Sequence, residues 1–378
     1  MPGKDPNSSP AIATMTLTRL TAAVLALLSH HAFAQDGAVQ IYGRLNIGLE
    51  AMRGDGARRG QAVQRLSNYR SVLGLRGSED LGGGLKLVFQ VEGTLAPDTG
   101  AGAIAARDTR IGLQGRWGSL FGGNWPTPYN TATSGLDPFY PTTAGYMSIM
   151  GNGSAPSASN VSDTTSFDRR QQNSLHYWTP AWQGMTLRLA HGFNEEMPPS
   201  GARPSLDAAA LVLEHGPLYA ALAHERHHDY QGPGLDDHGS KVALAWQFGP
   251  QLGQVRVAAV AEKLRYATAR GDLVRVAYYL ALTRQFGAHG IRFGLARAGE
   301  DKGSAGTRLG FIQAGPDTGA THATLGYDYT LSKRTALFAF YTRLRNDGRG
   351  AYDFAINGLD ASPGAHLSGA ALGIRHSF

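Results

Sequence analysis

Arginines recurring at strand-like spacing give this chain its main scope for chemistry. In Gln40-Ile41-Tyr42-Gly43-Arg44-Leu45-Asn46 the apolar Ile41 and Leu45 alternate with Tyr42 and Arg44, the period-2 pattern of a strand with one apolar and one polar face. The same parity places Arg44, Arg70, Arg76, Arg110, Arg188, Arg256, Arg275, Arg292, Arg343 and Arg375 on polar faces, against fewer acids: Glu50, Glu92, Asp108, Glu262 and Asp328. A guanidinium keeps its charge and offers its N–H groups in a fixed fork. Along a narrow water-filled space such groups favour anions, and opposite carboxylates they set up a transverse field that sorts solutes by charge and dipole. The acids available for that opposite side are Asp137, Asp163 and Asp168, all in one long polar connection. Arg44 falls six residues into an ascending strand and Arg76 about four before a turn, so the two are expected at similar height.

Other arrangements fail on geometry. His224-Glu225-Arg226-His227-His228 satisfies the H-E-x-x-H pattern of zinc peptidases, which works because histidines four apart meet on one helical face. Here the segment closes a strand and enters a loop, and on a strand residues four apart are separated by about 13 Å. Glu79 and Asp80 are neighbours at a strand end and point to opposite faces, which is wrong for a cooperating acid and base. Gly82-Gly83-Gly84 lacks the Lys-Ser/Thr of a phosphate loop, and no G-x-S-x-G elbow occurs. The chain has no cysteine, so no disulfide or thiolate site forms. No catalytic residue, metal or cofactor is expected.

The elements that must carry the arginines are strands. The chain has 50 glycines and 15 tyrosines, is 42% hydrophobic and 17% charged, and after its first residues contains no apolar run near the ~20 residues of a membrane helix. Sixteen alternating segments can be placed, joined in turn by short turns such as Asp80 to Gly84, Trp117-Gly118, Pro180 to Gly184 and Gly287 to Gly290, and by longer polar connections. In one of them Val242, Leu244, Trp246 and Phe248 oppose Lys241 and Gln247. Two-sided loop asymmetry with one apolar face is the layout of a membrane barrel; a soluble sandwich alternates too but needs no such asymmetry. Trp125, Tyr177, Trp246, Phe286, Tyr329 and Phe338, at strand ends, fit interfacial girdles.

Both chain ends agree. The last strand runs to the final carboxylate, with Ile374, His376 and Phe378 on one face and Arg375 and Ser377 on the other. Near the start, Arg19, the apolar Leu20 to Leu28 and Ala32-Phe33-Ala34 read as a secretory leader over 15–34, cleaved near Ala34, with residues 1–14 an upstream extension before Met15. Its removal takes Lys4, Arg19 and Asp5, so the formal charge falls from +6 to +5. The arginines are dispersed and form no nucleic-acid patch. Residues 35–378 are therefore read as one all-β domain, a 16-stranded antiparallel transmembrane β-barrel. One connection, 126–168, is far longer than the rest; connections of such length are functional or disordered, and this one is expected to fold inward and constrict the lumen.

The chain resembles the general diffusion porins of Gram-negative outer membranes, in their betaproteobacterial branch. The matching segments are Gln40 to Asn46, Ser71 to Lys86 followed by Phe89-Gln90-Val91-Glu92, Arg110-Ile111-Gly112-Leu113 leading to Gly118-Ser119-Leu120, Asn173-Ser174-Leu175-His176-Tyr177, and Gly373 to Phe378. The resemblance implies a homotrimer in outer-membrane lipid, a third loop forming the constriction, and a terminal Phe378 read by the barrel assembly machinery. Asn46 stands where many members carry Asp, and Asp137-Pro138-Phe139 matches the acidic third-loop motif only loosely. The expected activity is passive diffusion of small hydrophilic solutes and ions with mild anion preference, with no reaction catalysed. Two alternatives stay open: a solute-selective channel in which Phe139, Tyr140 and Tyr146 form a stacking platform, and an outer-membrane barrel enzyme.

Overall fold

Alternation along nearly every segment closes one sheet on itself. A computed structural model describes residues 39–56, 62–252 and 254–378; the expected leader 15–34, its cleavage at Ala34 and the extension 1–14 lie outside the described residues. The wall strands are β1 (Gln40–Gly54), β2 (two runs, Ala62–Asn68 and Ser71–Gly82), β3 (Leu85–Ala96), β4 (Thr109–Gly115), β5 (Gly118–Pro126), β6 (Arg169–Trp178), β7 (Met185–Gly192) and β8 (Ser205–His215). They continue as β9 (Leu218–His228), β10 (Asp236–Gln247), β11 (Val255–Thr268), β12 (Gly271–Phe286), β13 (His289–Ala298), β14 (Ala320–Thr330), β15 (Thr335–Asn346) and β16 (His366–Ser377). Each pairs antiparallel with the next, and β1 pairs with β16 from Arg44↔Ser377 to Gly54↔Leu367, giving a closed 16-stranded barrel. Closure removes every sheet edge, which a strand in hydrocarbon requires.

Along β1, Ile41, Leu45 and Leu49 face outward and are exposed, while Asn46, Glu50 and Met52 point inward and are buried. The outward face elsewhere carries Leu73, Leu120, Leu222, Leu244, Leu280, Phe293, Leu325 and Leu372, an apolar band suited to lipid. Tyr177, Trp246, Phe286 and Tyr329 stand on that face, as girdle residues must. Trp125 and Phe338 do not: both point inward and are buried.

Parity also fails for Arg343. On β15 the inward residues are Phe338, Phe340, Thr342 and Leu344, and Arg343 is exposed on the outer face near the loop end. Apolar residues turn inward here because Phe338 and Phe340 pack on the buried Tyr69 ring (5.8 and 6.2 Å between centroids). The run Ala62–Asn68 extends β2 beyond the strand expected from Arg70 onward. Between the two runs Arg70 takes a left-handed φ of 54°. Asn46 stitches this break: its side-chain amide donates to the Tyr69 carbonyl (3.2 Å) and its backbone N–H to Ser71 Oγ (2.9 Å). A carboxylate at 46 offers no such side-chain donor, which accounts for the amide at this position.

The largest buried cluster lies inside the barrel, between the inner wall and the 127–168 connection, and includes Tyr129, Leu136, Phe139, Tyr146, Met147, Ile149 and Met150.

Candidate functional site

The 127–168 connection begins with one helical turn, Pro128–Thr131, whose N-cap Thr127 accepts from the Asn130 N–H. From there it runs along the inner wall and is pinned strand by strand. Tyr219 Oη on β9 donates to the Ala132 carbonyl (2.6 Å), and Lys241 Nζ on β10 donates to Thr133 Oγ1 (2.8 Å). Glu262 on β11 accepts from Tyr129 Oη (2.9 Å) and the Gly151 N–H (2.8 Å), and its own partner Arg275 on β12 reaches the Ile149 carbonyl. Arg292 on β13 donates to the Pro138 carbonyl (2.6 Å) and lies 4.9 Å over the Phe139 ring. Glu50 on β1 accepts from Thr143 Oγ1 (2.5 Å). The Phe139 ring occupies a notch between Gly294 and Gly326, where an added Cβ would come within 3.2 and 2.6 Å of it. Buried charges anchoring backbone and hydroxyl groups make this seat rigid, because breaking any one pair leaves an uncompensated charge.

The loop is therefore tied to the inner wall of β9–β14, with further contacts on β1 and β6. Arg44, Arg76, Arg110 and Arg188 stand on the inner face of β1, β2, β4 and β7, none of them fully buried. Arg44 donates to the Arg70 carbonyl (3.1 Å), and Arg70 reaches the loop through Ser154 Oγ (2.7 Å) and Tyr140 Oη (3.4 Å). Arg110 is held by rings, its Cζ 4.5 Å from the Phe121 centroid and 4.2 Å from that of Trp125, and Arg188 lies 4.9 Å over Trp178. Among the described residues Arg44, Arg110 and Arg188 meet no carboxylate. The five acids read as lumen-facing are all engaged: Glu50 by Arg65 (2.7 Å), Glu92 by Arg107 (2.8 Å), Asp108 by Arg170, Glu262 by Arg275, and Asp328 by Arg292 (2.5 Å).

Residues 21–349 match the sequence model of the Gram-negative porins. The chain belongs to that family. Relatives include the outer membrane porin protein 32 of Delftia acidovorans, 26% identical over 96% of this chain and 100% of that protein. A second is the major outer membrane protein P.IA of Neisseria meningitidis, 32% identical over 32% of this chain and 36% of its own length. Among solved structures, an anion-selective porin from Comamonas acidovorans superposes with a TM-score of 0.75 at 22% identity, covering 91% of this chain and 100% of that one. OmpT of Vibrio cholerae gives 0.64 at 14%, covering 90% and 98%. The fold and family make this protein an outer-membrane diffusion channel.

Within the porin the sequence-derived site divides. Arg44, Arg76, Arg110 and Arg188 all lie on the inner face, but Arg76 pairs in register with Gln40, four residues nearer the turn end than Arg44, and donates to Gln40 Oε1 (2.9 Å). The two are not level. The loop acids do not face the arginines either. Asp137 is buried against the wall, accepting from the Tyr146 and Phe139 N–H groups and from Tyr279 Oη (2.9 Å). Asp168 is buried beside Asn130 Nδ2 (2.5 Å), and Asp163 is exposed in the loop's return segment. Phe139 and Tyr146 are likewise buried in the seat, so neither can form a stacking platform in the lumen. The strand β9 carries all of His224 to His228, so His224 and His228 are outward strand residues, and no metal-binding cluster forms among the described residues. Reasoning from sequence missed Arg107 and Arg170 as acid partners, and Phe121, His176 and Trp178 as inward aromatics. The signal available was parity: Phe121 and Trp125 share a face, as do His176 and Trp178.

Proposed function

We propose that this porin is a homotrimeric, water-filled pore with mild anion preference, through which small hydrophilic solutes and ions move down their gradients with no reaction catalysed. The observation that carries the sign of selectivity is the unequal use of charge. Each of the five acids read as lumen-facing is paired with an arginine, while Arg44, Arg110 and Arg188 have no carboxylate in contact among the described residues. In a low-dielectric wall unopposed charge is focused into the water column. The field is one-sided, since Asp137 and Asp168 are buried in the loop seat. Likeness of fold to an anion-selective porin supports the same sign. The burial of Phe139 and Tyr146 disfavours the loop-platform alternative.

Assembly follows the family pattern in this reading. The leader is removed near Ala34, the barrel assembly machinery reads Phe378, and three copies associate in outer-membrane lipid. Reversal potentials across a KCl gradient in planar bilayers test the function: chloride is expected to permeate more readily than potassium, and a potassium-preferring native pore overturns the charge argument.

A further inference from the structure

Arginines on the β1–β7 side of the barrel are held in two different ways. Arg107 and Arg170 are held by carboxylates, which cancel their charge. Arg76, Arg110 and Arg188 are held by rings: Arg76 over Tyr42 at 4.9 Å, Arg110 against Phe121 and Trp125, and Arg188 over Trp178. A ring face fixes a guanidinium in place and leaves its charge and N–H edge available to an oxyanion.

Two of these meet at one indole. The Trp178 ring lies 4.9 Å from Arg188 Cζ and 6.0 Å from Arg110 Cζ. Cross-strand register explains the meeting, since Trp178 pairs with both Ser119 on β5 and Arg188 on β7, and Phe121 pairs with His176. Phe121 and His176 stack at 4.9 Å with 6° between planes, and Phe121 meets Trp178 edge-on at 5.4 Å, so the indole is backed by a rigid aromatic layer. Gly112 permits this packing, because a Cβ there would strike the Phe121 backbone and side chain. Arg110 Nε, Trp178 Nε1 and Arg188 Nε are buried and lack a hydrogen-bond partner, three unsatisfied donors gathered in one cluster. Trp178, Arg110 and Arg188 are only partly buried, whereas Phe121 and His176 behind them are fully so.

We infer that Arg110, Trp178 and Arg188 form a subsite for a planar organic anion, one whose carboxylate is joined directly to a flat aromatic ring. The carboxylate pairs with a guanidinium in bidentate fashion and the ring packs on the indole. A saturated ring of similar size keeps the charge but loses the flat contact. This rests on the anion-permeable reading above, yet its readout is separate, because it compares two solutes of equal charge.

The native trimer in planar bilayers, carrying chloride current, is titrated with benzoate and with cyclohexanecarboxylate, and each half-blocking concentration is normalised to solute-free conductance. Benzoate is expected to block saturably at a concentration about tenfold lower, the factor that one well-placed contact supplies. Trp178→Leu should bring the two solutes to within about twofold, and Trp178→Phe should restore most of the gap. Arg188→Gln should weaken both solutes together. Equal block of the native pore by the two carboxylates overturns the inference, as does a tenfold gap that survives Trp178→Leu. If Trp178→Leu does not assemble, the native comparison together with Trp178→Phe still decides. A potassium-preferring pore that nonetheless separates the two carboxylates would sink the selectivity reading and leave the subsite standing.

Discussion

At the scale of the residue, what matters about an arginine here is its partner. Arg292 sits against Asp328 and anchors Pro138, so its charge serves the loop seat; among the described residues Arg44 donates to the Arg70 carbonyl and Arg110 lies against rings, neither touching a carboxylate. Neutralising the second kind removes field from the pore, and neutralising the first kind loosens structure. Arg44→Gln combined with Arg110→Gln should shift the reversal potential toward cations, whereas Arg76→Gln, exposed near the turn end and tied to Gln40, should shift it less. The measurement belongs at about 0.01 M KCl, where the Debye length is ~30 Å, because at about 0.1 M it is ~10 Å and hides the effect. An unchanged potential in the double variant would remove the basis of the charge mechanism.

At the scale of the element, the inward-folded 127–168 connection is held by wall residues from β1 and from β9 to β13. The notch for Phe139 is an exacting contact, since a side chain at Gly294 or Gly326 would strike that ring. Gly326→Leu should displace Phe139 and alter single-channel conductance while the far-UV spectrum stays β; native conductance in that variant would show that the notch does not set the loop. A second connection, 299–319, carries a titrating contact. Asp301 is buried there, accepts from the Gln313 N–H (2.9 Å) and donates its own N–H to Thr318 Oγ1 (2.8 Å). Burial pushes its carboxyl up from 3.8 to about 7, against the pull of the Gln313 N–H and Arg275. A raised carboxyl stabilises the fold fully below its unfolded value and loses that contribution as pH rises through its folded value. Limited proteolysis within 299–319 should therefore be slower at about pH 5 than at about pH 8, and Asp301→Asn should flatten the difference. Equal rates for the native protein at both pH values would argue against a buried neutral Asp301.

At the scale of the whole molecule, the ladder that closes the barrel ends at Phe378. The Gly43 N–H donates to the Phe378 carbonyl (3.0 Å) and the Phe378 N–H to the Gly43 carbonyl (3.1 Å), the final rung between β1 and β16. Deleting Phe378 removes both bonds and the aromatic that ends the outward face, so the chain should accumulate in the periplasm and yield little heat-sensitive trimer. Surface assembly of the shortened chain at native levels would contradict this.

The sequence by itself determined the architecture, because a wall between lipid and water demands period-2 alternation, and that period survives in Ile41/Leu45/Leu49 and Val242/Leu244/Trp246 whatever the loops do. It also determined which connection enters the lumen, since no other approaches the length of 126–168. Only the tertiary structure decided the charge pattern. Parity assigns a residue to a face but not to a height or a partner, so Arg76 and Arg44 fell four residues apart and Asp137 and Asp168 were buried in the loop seat. The rule that apolar means outward broke where the loop gives the lumen its own apolar core, which drew Phe338, Phe340 and Leu344 inward and left Arg343 outside. Such contacts join residues far apart in the chain, as Phe139 to Gly326 and Glu262 to Gly151 do, and no local period carries them.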